Sequence, residues 1–279
     1  NGNKARTRNF DCDVEIACDE RSKVNRAVLR DKVEALFSSN AEVALFYFSG
    51  HGYVDTYGGY INGSDSVRGD DGLSLSEILG FANASPARHK IVILDSCHSG
   101  SAGQSALNKE ISVIGEGVTI LTSSRASEAS LEIDGHGVFT GLLIDALNGA
   151  AANLTGKITP GSVYAHIDQS LGLWDQRPVF KTNTDGFVSL REVEPAIPLN
   201  DLRKLKDLFP SKGYYFKLDP SYEPRDEGRT PDMPPADRDN NKTFALLQAF
   251  NRQGLLAPVD TDHMWNAAME SKGCQLTLL

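Results

Sequence analysis

The chain has 279 residues, 40% of them hydrophobic, with 28 Lys and Arg against 37 Asp and Glu for a formal charge of −9. This is an ordinary globular composition, enough for one substantial core and a small second module, and no apolar run is long enough to span a membrane. The acidic balance excludes a general polyanion binder, so neither nucleic acid nor membrane is expected as a partner.

The opening "NGNKARTRNF" carries charge with no apolar segment behind it, so no signal peptide is read. It also lacks a methionine, and the expectation is a trimmed or processed N-terminus. Residues 10–18, "FDCDVEIAC", alternate like a strand. "SKVNRAVLRDKVEALFSS" places Leu29, Val33, Leu36 and Phe37 on one helical face. "EVALFYFS" is apolar on both faces, as expected of a strand covered by helices on each side of a parallel sheet. Strand, helix and strand make a βαβ unit. "YVDTYGGYING" reads as a hairpin, and "SLSE", Ser74 to Glu77, as a capping box opening a short helix. "KIVILDS" and "GVTILTSS" are further buried strands, followed by a helix around "FTGLLIDAL". "TPGSVYAHIDQSL" starts a helix with Thr at the N-cap and Pro at the first helical position. "RPVFKTN" supplies edge-strand material.

The order is α/β through residue 195. Residues 196–241 read as a basic amphipathic piece, "NDLRKLKDLF", and then a Pro- and charge-rich linker with little to bury. Residues 242–279 resume with two helical segments and end on "CQLTLL", a small helical or winged-helix-like module. Met264 and Trp265 within it read as core.

Two strand ends carry the chemistry. "LFYFSGHG" delivers His51 between two glycines, and "IVILDSCHSG" delivers Cys97 in a glycine-containing turn. In open parallel sheets, active sites lie just beyond the carboxyl ends of the strands. Neighbouring strands run ~4.8 Å apart, so His51 and Cys97 would meet one substrate carbonyl. An imidazole beside a thiol raises its thiolate fraction or takes its proton during attack. The Gly52 and Cys97 amides would face the developing oxyanion. Alone, His51 reads as a turn histidine; with Cys97 in matching context it reads as catalytic. His98 is read as a local structural or rim residue. A zinc site from His51, Asp95, Cys97 and His98 is set aside, because three of the four crowd one tight turn. The four cysteines, Cys12, Cys18, Cys97 and Cys274, form no CxxC pair, which suggests reduced thiols and a cytoplasmic location.

"FSGHG" followed by "DSCHSG", at roughly the 50-residue His-to-Cys separation of caspases, resembles the caspase-like cysteine peptidases: caspases, metacaspases and paracaspases. "DSCHSG" is the metacaspase and bacterial form, and "VTILTSSRASEASLE" with "GHGVFTGLLIDAL" is similar to bacterial members. The likeness covers residues 10–190. It implies a mostly parallel sheet flanked by helices, with His51 as general base and Cys97 as nucleophile. It implies an oxyanion hole of Gly52 and Cys97 amides, and a specificity pocket built on Asp95 with Ser123 or Ser124. A buried carboxylate there calls for a cationic partner, so cleavage after Arg or Lys is expected. The family normally opens with a further strand and helix, which residues 1–9 cannot supply; the N-terminal strand is expected to be missing from residues 1–195.

The acidic loop "GSDSVRGDDG" is the place where calcium would bind, as in some metacaspases, but it has no EF-hand spacing and reads more plainly as a solvated loop. No metal or other cofactor is expected. Lys109, Arg225 and Arg229 are candidate sites of self-processing. The resemblance implies a regulated protease of bacterial stress, cell-death or defence pathways, made as a zymogen and acting on a protein or peptide. An upstream activating protease or a regulatory partner would act through the C-terminal module. The rival reading is a catalytically silent caspase-like scaffold that binds partners.

Overall fold

A computed structural model of the chain describes residues 13–14, 23–96, 114–123, 132–133, 136–171, 177–184 and 186–278. The strand expected at 10–18 lies outside the described residues except for 13 and 14, and Cys97, His98, Lys109 and Ser124 lie outside them too. The chain divides into two compact units, Asn1–Asn153 with Lys157–Val193, and Leu154–Gly156 with Glu194–Leu279.

The first unit starts at helix α1 (Arg26–Phe37), where the Asn25 side chain accepts from the Val28 N–H at 2.9 Å and so caps an otherwise orphaned donor. Leu29, Val33 and Phe37 are its buried stripe. Strand β1 (Val43–Ser49) leads through a hairpin, β2 (Gly52–Val54) and β3 (Gly59–Ile61), with β4 (Leu73–Ser74) alongside. The hairpin turns because Asp55 Oδ1 accepts from the N–H groups of Tyr57 and Gly58, and Gly58 takes a φ of +149° that a side chain would resist. Helix α2 (Leu75–Ala84) follows, then β5 (His89–Asp95) and β6 (Val118–Thr122).

At the start of α2, only half of the expected capping box forms. Ser74 Oγ accepts from the Glu77 N–H at 3.1 Å, while the Glu77 carboxylate turns to Arg26 and Arg30 of α1, at 3.1 and 2.9 Å. Two guanidinium groups outcompete one backbone N–H, because charge-assisted bonds are the stronger ones.

Beyond β6 come β7 (Glu132–Ile133), β8 (His136–Gly137), helix α3 (Val138–Asp145), β9 (Lys157–Ile158) and helix α4 (Pro160–Ser170). The α4 start is as expected: Thr159 caps the helix, Ser162 returns the bond, and Pro160 holds the first position. Strand β10 (Val179–Asn183) and the short β11 (Arg191–Glu192) complete the unit.

The described main sheet runs β1-β5-β6-β10, with β1, β5 and β6 parallel and β10 antiparallel at an edge. The alternation of side chains separates two cores. Ala44, Val92, Leu94, Val118 and Ile120 face α1 and α2, while Ile91, Ile93 and Leu121 pack with residues of α3 and α4. This is the helix-covered, mainly parallel sheet that the apolar runs predict, and burial on both faces is why those runs do not alternate.

The second unit has its own core, with Phe209, Leu218, Phe244, Leu247, Phe250, Met264 and Cys274 among its buried members. Its elements are α5 (Leu199–Arg203), α6 (Leu205–Leu208), β12 (Phe216–Lys217), α7 (Arg238–Arg252), β13 (Leu256–Val259), α8 (Met264–Met269) and β14 (Gly273–Leu276). The strands form an antiparallel sheet in the order β12-β14-β13. Met264 is buried as expected, whereas Trp265 is 38% exposed.

The segment 219–241, whose composition reads as a linker, packs Tyr222 on the core of this unit and is otherwise held by polar bonds. Asn241 donates to the carbonyls of Ser221 and Tyr222, and Asn240 donates to Ser221 Oγ at 2.8 Å. The Arg229 guanidinium donates to the carbonyls of Pro220, Glu223 and Pro234. Hydropathy carries no sign of such bonds.

Candidate active site

The site grows from the pairing of β1 with β5. Their parallel register runs from Val43–His89 to Ser49–Asp95, and the Gly50 N–H extends it by donating to the Asp95 carbonyl at 3.1 Å. His51 stands two residues beyond Ser49, and in sequence Cys97 stands two residues beyond Asp95. The described register ends at Ser49 and Asp95, two residues before each of these positions in the sequence. His51 is exposed, and its carbonyl accepts from the Asn62 N–H at 2.9 Å.

That last bond settles where the Gly52 amide faces. Antiparallel ladders alternate hydrogen-bonded and non-bonded pairs. His51–Asn62 is bonded, and Asp55–Gly58 is bonded in the same phase. The Gly52–Ile61 pair between them is therefore a non-bonded one, and the Gly52 N–H points away from β3 on the open side of β2. A donor aimed outward one residue after the imidazole is what an oxyanion site requires.

Asp95 ends β5 with 6% of its surface exposed. One residue past the last β5–β6 pair, Leu94–Thr122, come Asp95 and Ser123, so the two lie side by side at neighbouring strand ends. Ser123 is fully buried, its N–H donates to the Leu94 carbonyl at 2.9 Å, and its Oγ donates to the Ser96 carbonyl at 3.3 Å. The structure thus brings together two of the residues expected for a specificity pocket. Among the described residues, the Asp95 carboxylate is held by one hydroxyl group and forms no ion pair. Thr140 Oγ1 of α3 lies 2.5 Å from its Oδ2, and Tyr47 OH of β1 lies 2.6 Å from Thr140 Oγ1. A buried carboxylate without a countercharge is costly unless a cation arrives from outside.

Tyr47, Thr140 and Gly137 do not figure in the sequence reading. The signal for Tyr47 is its phenol in the run "VALFYFS", where every other residue before the final serine is apolar. Thr140 gives no comparable signal, since a threonine in the first turn of a helix is unremarked by spacing alone.

The remaining candidates divide. Arg225 is exposed, but the Arg229 side chain is only 11% exposed, with its guanidinium occupied by three carbonyls and Asp226. A guanidinium so engaged does not enter a protease pocket while this fold stands. In the acidic loop, Asp65 accepts from the Arg26 N–H at 3.1 Å, and Asp71 accepts from the N–H groups of Val67 and Arg68. These carboxylates cap backbone donors, and no group of three or more metal-binding side chains converges among the described residues. Burial pushes the Cys274 thiol up to about 12, which leaves it protonated and inert. No helix among the described residues is long and apolar enough to cross a membrane.

A family model of the caspase domain matches residues 5–186, most of the chain and all of the sheet described above. The chain belongs to the caspase domain family. Among solved structures, this caspase-domain protein is similar to caspase-1 from Spodoptera frugiperda, at 13% identity and a TM-score of 0.45 over 60% of this chain and 71% of that one. It is likewise similar to protein GSU0716 from Geobacter sulfurreducens, at 16% identity and a TM-score of 0.43 over 63% and 79% of the two chains. No curated protein matches the sequence.

Proposed function

We propose that this caspase-domain protein is a cysteine endopeptidase that cleaves after Arg or Lys. The observation that supports the reading is the β1–β5 register, which ends at Ser49 and Asp95, the residues that stand two places before His51 and Cys97 in the sequence. In this reading His51 takes the thiol proton as Cys97 Sγ attacks the scissile carbonyl. The tetrahedral oxyanion is met by the outward Gly52 N–H and the Cys97 N–H. Collapse of the intermediate breaks the C–N bond, and the imidazolium returns its proton to the leaving amine. Water then hydrolyses the thioester, with His51 again as base.

Asp95 supplies specificity. Its buried carboxylate, which pairs with no cation among the described residues, favours a substrate that brings a positive charge of its own, with Ser123 beside it at the next strand end. We place regulation in the second unit, which has a separate core and none of the site residues. The resemblance to bacterial members supports a role in stress, cell death or defence.

The test is hydrolysis of fluorogenic Arg and Lys peptides, beside the Cys97→Ala and His51→Ala proteins. Cleavage by the unmodified chain, falling at least about a thousandfold in both variants, is expected. Equal turnover in all three overturns the assignment, and silence in all three favours the scaffold reading.

A further inference from the structure

The contacts behind Asp95 have a direction. An ionised carboxylate accepts only, so the single hydroxyl hydrogen of Thr140 is given to Asp95 Oδ2 across 2.5 Å. With that hydrogen spent, the 2.6 Å contact between Tyr47 OH and Thr140 Oγ1 has Tyr47 as its donor. The chain therefore runs from Tyr47 on β1, through Thr140 on α3, to Asp95 at the end of β5. It ties three elements of the first unit together at the strand end.

Gly137 closes the same oxygen from another side. A Cβ at this position would stand 2.7 Å from Asp95 Oδ2 and 3.8 Å from Oδ1. Oδ2 thus has a hydroxyl and a glycine beside it, and among the described residues Oδ1 is the oxygen left to accept.

We propose that Tyr47 and Thr140 are positioning residues of the specificity site, a hydrogen-bond relay that pins Asp95 through Oδ2 and presents Oδ1 to the cation of the substrate. The proposal rests on the reading of Asp95 as the base of that pocket. Its physical content is preorganisation. A carboxylate fixed before the substrate arrives need not reorient when the cation docks, and hydroxyls in series polarise one another. Neither residue touches the substrate.

The experiment compares kcat/KM for an arginyl peptide with that for its citrulline twin, which keeps the shape of the side chain and loses the charge. The unmodified protein is expected to prefer the arginyl peptide. Thr140→Val keeps the shape and removes the donor, and the Arg-to-citrulline ratio is expected to fall about tenfold, the scale of one hydrogen bond to a charged group. Thr140→Ser restores the donor and is expected to keep the ratio within about twofold of the starting value. Tyr47→Phe removes only the second link and is expected to lower the ratio about threefold.

A general folding defect lowers both rates and leaves the ratio alone, so the ratio isolates the relay. Should Thr140→Val prove too unstable to assay, Tyr47→Phe and Thr140→Ser carry the same comparison. An unchanged ratio in Thr140→Val and Tyr47→Phe overturns the relay while the basic pocket stands. An unmodified protein that shows no preference for arginine, or cleaves neither peptide, removes the pocket reading and the relay with it.

Discussion

Each unit holds a charged side chain largely out of solvent, Arg229 in the second and Asp95 in the first, and the two are treated in opposite ways. In the second unit Arg229 gives its guanidinium to three backbone carbonyls and lies beside Asp226, so the charge is spent inside the fold. In the first unit Asp95 receives one hydroxyl and, among the described residues, no cation. A charge whose Nη1 and Nη2 groups are taken up by carbonyls of its own chain is a structural part. One that keeps an oxygen open among the described residues, at the carboxyl end of a parallel strand, suits the receptor role proposed above.

The largest test of this contrast is Asp95→Asn. The amide keeps the size of the side chain and removes the charge, so kcat/KM for arginyl peptides should drop about a thousandfold, near the ~4 kcal/mol of a desolvated charge pair that loses one member. The melting temperature should hold or rise, because a buried charge without a countercharge has been neutralised. A large loss of stability with retained arginine cleavage would make Asp95 structural and erase the difference between the units.

A second test uses alkali. Burial raises the folded-state pKa of Cys274 to about 12, from an ordinary value of 9.0, and burial moves Tyr222 in the same direction. A raised folded-state value means stability that is complete below the unfolded pKa and lost as pH climbs through the window up to the folded one. The second unit should therefore weaken above pH 9, by on the order of 3 kcal/mol at pH 11 from Cys274 alone. Unfolding curves of unmodified and Cys274→Ala proteins between pH 8 and pH 11 measure it. Parallel curves would remove the thiol as the cause.

The smallest effect is expected from Arg229→Leu, which strips three carbonyls of their donor. About 2 kcal/mol of stability should be lost, on the scale of hydrogen bonds to a charged group at a mostly buried site. Denaturant unfolding followed through Trp265, whose ring lies against Gly228, reports it. A change in the specificity ratio of the peptidase site, with stability untouched, would reverse the roles assigned to the two charges.

What the sequence shows and what it hides follow from the range of the forces involved. The strands around Phe46, Val92 and Ile120 are legible because burial on both faces leaves continuous apolar runs. The α4 start is legible because Thr159, Pro160 and Ser162 act within one turn. His51, Asp95 and Ser123 are readable as strand-end residues once the strands are assigned. The Tyr47–Thr140–Asp95 chain is not, because it joins residues far apart in sequence and depends on register and helix placement together. The order of 219–241 escapes for a related reason. Its bonds run from Asn240, Asn241 and Arg229 to main-chain carbonyls, which have no signature in composition.

The β1–β5 pairing also has a kinetic side. Every one of its pairs, from Val43–His89 to Ser49–Asp95, closes a loop that contains the hairpin and α2. Non-local parallel pairing is slow to form, since the entropy of the loop is lost before any contact compensates it. The strands that lead to positions 51 and 97 are brought side by side by that pairing. In the proposed dyad, a chain still emerging from the ribosome, or one partly unravelled, would therefore carry both residues unassembled. For the peptidase proposed above, the topology would itself delay the moment at which a new molecule becomes able to cut.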